Sequence, residues 1–160
     1  MTLNSLSEAL WRERQLLEML LFKLEEEQLV LSCGRSRWLA QATREVEAVL
    51  DEIRSTELSR AVEVEAVAPQ LGLAGDASLG ELAAAAPAPW DELLRAHRDA
   101  FASLTSEIAQ LADDNRELLA MSHRATQETL ASLEHSVHTY DGSGQAHAET
   151  HGALLVDRSI

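Results

Sequence analysis

The chain has 160 residues, enough for one domain or one elongated helical unit. Acidic residues outnumber basic ones 27 to 13, giving a net charge of −14. That balance argues against nucleic acid and anionic membrane surfaces as partners, because both require clustered Lys and Arg.

Ala, Leu and Glu dominate, and aromatic residues make up only 4%. These are helix formers, and strand formers never alternate over a useful length, so the expected class is all-α. The single cysteine, Cys33, excludes a disulfide within the chain and fits a reducing cytoplasm. No basic segment precedes an apolar stretch, so no signal peptide is expected. No window of about 18 residues is apolar and uncharged, so no membrane span is expected.

The first predicted helix runs from about residue 4 to 32. Steps of three and four residues give Leu3, Leu6, Leu10, Glu13, Leu17, Leu20, Leu24, Glu27 and Leu31, a coiled-coil-like seam interrupted by two acids. Gly34 and Ser36 are the expected C-cap and N-cap. The second helix spans about 37–66, with Leu39, Ala42, Val46, Val49, Leu50 and Ile53 on its apolar face. The short turn between two helices of similar length predicts an antiparallel hairpin.

Pro69 ends that pattern, and Gly72, Gly75 and Asp76 mark a loop. Ser78 and Glu81 have capping-box spacing and open a short Ala-rich helix over about 79–86, which Pro87 and Pro89 close. The region reads as a connector. No basic residue occurs between Ala61 and Pro89, although four acids do.

The last predicted helix, about 90–140, contains neither Pro nor Gly. At roughly 1.5 Å per residue it would reach about 75 Å. Asp91 and Glu92 suit its first turn, where the helix dipole favours acids. Its seam is Trp90, Leu94, His97, Phe101, Leu104, Ile108, Leu111 and Asn115.

Beyond Asn115 the pattern splits. One continuation, Leu118, Ser122, Ala125 and Thr129, is small and polar. The other, Leu119, His123, Thr126, Leu130, Leu133, Val137 and Tyr140, becomes more apolar towards its end. Drift of a 3.6-residue helix against a 3.5-residue repeat accounts for such a rotation. A second partner facing the later half accounts for it equally, by helix-in-groove packing. The expected architecture is therefore a hairpin packed against one long helix over residues 1–144, elongated and coiled-coil-like, with a flexible tail over 145–160.

The sequence offers no catalytic constellation. None of the six histidines has Glu three residues before it, as a carboxylate-bridged metal bundle would need, so neither metal nor cofactor is expected. Gly72 to Gly75 lacks the Lys of a phosphate loop. His97 reads as an interior histidine and Asn115 as a register-setting polar residue on the seam. The Glu25–Glu27 run reads as a solvated face. Tyr140, the sole tyrosine, reads either as a helix-terminal packing residue or as a recognition anchor.

Four segments in order resemble the FlgN family of flagellar type III export chaperones. They are Leu17-Glu-Met-Leu-Leu21; Leu71-Gly-Leu73 with Ser78-Leu-Gly-Glu-Leu82; Leu111-Ala-Asp-Asp-Asn115-Arg-Glu-Leu-Leu119; and Tyr140-Asp-Gly-Ser-Gly144. Ala112 departs from the family, whose members often carry Asn there. The resemblance implies a non-enzymatic cytoplasmic chaperone that holds the C-terminal helical segments of hook–filament junction proteins and delivers them to the export gate. By position, its cargo contacts would be Leu119, Leu130, Leu133 and Val137, and gate docking would fall to Tyr140. The alternative is a structural coiled-coil protein that uses the same seams for self-association.

Overall fold

The computed structural model describes residues 2–138. It contains four α-helices: α1 (Leu3–Ser32), α2 (Leu39–Val67), α3 (Leu79–Ala85) and α4 (Trp90–His138). No strand occurs among the described residues. The described chain divides into two units, one through Arg116 and one from Glu117 onward.

α1 opens at Thr2, whose hydroxyl oxygen accepts from the Ser5 amide at 3.3 Å. It closes at Gly34, which has φ +65°. The Gly34 amide donates to the Leu31 carbonyl, and the Arg35 amide to that of Val30. This is a Schellman closure, which needs left-handed backbone at the glycine position. The expected cap at Ser36 does not form. Residues Ser36–Trp38 make a 3-10 turn, and α2 starts after it with no side-chain cap. That turn continues directly into α2, so its own backbone carries the chain into the helix.

The seam of α1 is buried as its spacing predicts. Leu6, Leu10, Glu13, Leu17, Leu20, Leu24 and Glu27 are all enclosed. α2 buries Ala42, Val46, Val49 and Ile53 against it. Contacts between the two helices pair 13 with 60, 23 with 45, and 27 with 43. One number falls as the other rises, so the hairpin is antiparallel. Along α4, His97 meets Trp11 and Asn115 meets Leu24, so α4 runs in the same direction as α1.

Two apolar cores result. The first joins Leu6, Leu10, Val67, Ala68, Leu82, Ala83, Ala86 and Leu94. The second joins Leu17, Leu20, Leu24, Val46, Val49 and Ile53, with Phe101, Leu104, Ile108 and Leu111 of α4 packed against it.

The region read as a connector is therefore a structural plug. Ser78 and Glu81 form the full capping box, with the Ser78 amide donating to Glu81 Oε2 at 2.7 Å. That bond, with the Ser78 hydroxyl, holds the Glu81 carboxyl below the usual carboxylate range. The capped turn presents Leu82 and Ala83 inward, where each is essentially solvent-free. A buried leucine of this kind contributes about 1.5–3 kcal/mol by transfer from water alone.

Candidate functional site

The first half of α4 is held by two polar layers, one on each side of the second core. The upper layer forms at Glu13, between Leu10 and Leu17. Arg60 of α2 donates from Nη1 to Glu13 Oε1 at 3.0 Å and lies 2.9 Å from Oε2. Burial pushes the Glu13 carboxyl up; Arg60 opposes this, and Glu57 adds to it. The same guanidinium lies over the Phe101 ring.

Beside this layer His97 is buried, edge-on to Trp11 at 4.8 Å and tilted against Phe101. Neither ring nitrogen has a hydrogen-bond partner. Burial, with Arg14 nearby, pushes its pKa down, so the ring is held neutral. It is an interior histidine, as its seam position predicts, but its nitrogens are not satisfied.

The lower layer forms at Glu27. Thr43 of α2 donates to Glu27 Oε2 at 3.1 Å. Asn115 of α4 donates from Nδ2 to Glu27 Oε1 at 3.2 Å and to the Leu24 carbonyl at 2.9 Å. One carboxylate thus ties three helices together. This corrects the reading of Glu25–Glu27 as a solvated face: Glu25 is exposed, but Glu27 is 6% exposed. Asn115 is 2% exposed, and its seam position does carry a geometric constraint. A shifted register would leave both its amide and the Glu27 carboxylate buried without each other.

From residue 116 through 135 no residue is buried. Leu130 is 56% exposed and Leu119 is at 36%, while Leu133 is half-buried. Residues 119, 130, 133 and 137 fall within an arc of about 40–60° at 3.6 residues per turn, so they share one face of α4. His123 and Thr126 interrupt that face between Leu119 and Leu130.

The polar residues of this segment turn back onto the helix. Thr126 and Thr129 donate their hydroxyls to the carbonyls of Ser122 and Ala125, at 3.0 and 2.9 Å. His123 pairs with Gln127 at 3.1 Å. These bonds leave the leucines as the adhesive part of the face. Met121, at 59% exposed, lies on the other side of the helix.

Val137 lies within α4, and its side chain is not among those described. Tyr140 lies outside the described residues. Among the described residues no group of His, Cys, Asp and Glu is placed to hold a metal ion, and no helix is long and apolar enough to cross a membrane.

Spacing found the seam residues but not their partners. Arg60 and Thr43 carry no one-dimensional signal as partners; α3 was visible from its capping box, but its burial was not. Trp38, at the end of the 3-10 turn, is about half exposed beneath the Arg37 guanidinium. Trp90 does pack against the first core.

No curated protein and no solved structure matches the chain. A family model described as FlgN protein matches residues 1–148. That span takes in the hairpin, the plug, both polar layers and the exposed stripe. The chain belongs to the FlgN family of flagellar export chaperones.

Proposed function

We propose that the protein acts in the cytoplasm as an export chaperone for hook–filament junction proteins, with residues 1–144 as its working domain and 145–160 as a tail. An amphipathic C-terminal helix of the cargo packs on the face formed by Leu119, Leu130, Leu133 and Val137. Covering the cargo's apolar stripe prevents premature assembly. Tyr140, which precedes Asp-Gly-Ser-Gly in the sequence, docks the loaded chaperone at the export gate.

The observation that supports this reading is the change in burial along one helix. The seam from Leu94 to Asn115 is consumed by the protein's own core, whereas Leu119 and Leu130 stay open to solvent. Exposed leucines at helical spacing fit a helical ligand. Four such contacts supply several kcal/mol, at about 1.5–3 kcal/mol for each fully buried side chain before ordering costs. The acidic balance also suits a carrier that avoids nucleic acid and anionic membrane on the way to the gate.

The Leu130→Asp, Leu133→Asp double variant tests the cargo face. Loss of junction-protein capture with helicity unchanged supports the assignment, and undiminished capture overturns it. Tyr140→Ala tests gate docking separately: it is expected to leave cargo binding intact and to abolish export. Normal motility in that variant removes Tyr140 from the mechanism. A tight oligomer that buries the same stripe, seen by light scattering, would instead favour self-association.

A further inference from the structure

An open groove of about 780 Å³ lies between the later turns of α2, the loop before α3, and α3 itself. Its accessible apolar wall includes Ala61, Val64, Ala77 and Leu79. Its charged positions include Glu57, Glu65 and Asp76. The one cation that lines it, Arg60, is already engaged with Glu13. Among the described residues no Lys or Arg pairs with Glu57, Glu65 or Asp76. None could come from the local sequence, which has no basic residue between Ala61 and Pro89.

The apolar surface continues beyond the groove. Leu58 and Val62, one turn apart on α2, are 73% and 53% exposed. They neighbour Ala61 and Glu65 on the helix surface. Leu58 is the most exposed of the large hydrophobic side chains in the described chain. Scattered single leucines are ordinary, but a pair bordering a groove with an apolar wall makes a continuous patch.

We propose that this groove docks a short basic and aliphatic segment of a partner protein. Leucine-type side chains enter between Val64, Ala77 and Leu79, and Lys or Arg side chains reach Glu57, Glu65 and Asp76. Charge complementarity selects this occupant. Three carboxylates that no Lys or Arg pairs with, bordering an apolar wall, attract a ligand that carries both features. A second copy of this chain is disfavoured, because it too carries a net charge of −14. None of the lining residues belongs to the α4 stripe, so the groove and the cargo assignment are independent proposals.

The probe is a fluorescein-labelled Leu/Lys peptide of about 12 residues, with a Leu/Glu peptide of equal length as control. It is titrated into the full-length chain by anisotropy, and backbone amide shifts locate it. The proposal expects shifts at residues 57–65 and 75–82, and binding that weakens as salt rises. The double variant Glu65→Lys, Asp76→Lys is expected to lose at least about tenfold in affinity. The matched pair Glu47→Lys, Glu117→Lys changes net charge equally at exposed sites elsewhere and is expected to lose less than about threefold. If the reversal unfolds the chain, Glu65→Gln, Asp76→Asn replaces it, with a smaller loss in the same order.

Equal losses in the two charge-matched variants overturn the proposal, since they mean attraction to net charge alone. Shifts confined to residues 117–138 overturn it too, as does the absence of binding to the Leu/Lys peptide. None of these results bears on cargo capture by Leu130 and Leu133.

Discussion

The contact between Asn115 and Glu27 sets the register of α4, and Asn115→Asp perturbs it with almost no change in shape. Asn115 donates from one nitrogen to Glu27 Oε1 at 3.2 Å and to the Leu24 carbonyl at 2.9 Å, in a site closed to solvent. The substitution removes both donated bonds and sets a second carboxylate against the first. Two unit charges at 3.2 Å repel by about 5 kcal/mol at an effective dielectric of about 20. Loss of a hydrogen bond to a charged group adds about 1.5–3 kcal/mol, and local opening to water takes some of the total back. The expected net loss at neutral pH is about 4–6 kcal/mol, a large part of the stability of an ordinary domain.

Asn115→Ala is the control. It loses the same two bonds but also removes Oδ1, which is buried without a partner, so its expected loss is smaller, about 1–3 kcal/mol. Urea unfolding followed by far-UV circular dichroism measures both. The order Asp worse than Ala is the prediction. Equal losses, or losses below about 0.5 kcal/mol in both, would refute the register role of this contact.

Leu82→Ala is expected to cost about 2–5 kcal/mol, because the side chain is fully enclosed in the first core, whereas Leu58→Ala stays within about 0.5 kcal/mol; similar losses by urea titration would refute the plug. The His97 pKa lies below its ordinary 6.5 in the fold, so its contribution is complete above 6.5 and is lost as pH falls through the folded value. Glu13, raised above 4.5, acts in the opposite sense, stabilising below its unfolded value and losing that contribution as pH rises through the folded one. His97→Phe keeps the aromatic packing and should flatten the decline of stability just below pH 6.5; an unchanged decline would show that another group causes it. Gly34→Ala is expected to cost about 1 kcal/mol, because φ +65° strains any Cβ although no neighbour obstructs it, and an unchanged melting midpoint would contradict the closure described for α1.

The sequence made visible what a helical period can carry. Leu6 to Leu24 on α1 and Leu94 to Asn115 on α4 fall inward because steps of three and four residues keep one face pointing one way. The capping box at Ser78 was equally legible, since both its bonds are local. What period could not reveal was partnership across long separations. Glu27 looked solvated because three glutamates in a row resemble a wet face; the donors that allow its burial stand 16 and 88 residues away. Arg60 answers Glu13 across 47 residues. α3 passed for a connector because alanines leave a weak amphipathic signal, yet small residues are what a closely packed plug requires. At Ser36 a good cap residue went unused, because the backbone continued from a 3-10 turn into α2. Spacing placed all four stripe residues, Leu119, Leu130, Leu133 and Val137, on one face, and the structure adds that Leu119 and Leu130 are exposed there.

The most direct test of the account is calorimetric titration of a junction protein's C-terminal helical segment into the full-length chain and into a chain ending at Ala120. The shorter chain keeps both cores and both polar layers but lacks Leu130, Leu133, Val137 and Tyr140. The account predicts binding by the full-length chain and at least about a tenfold loss in the shorter one, or about 1.4 kcal/mol. Equal affinity in the two chains would contradict it.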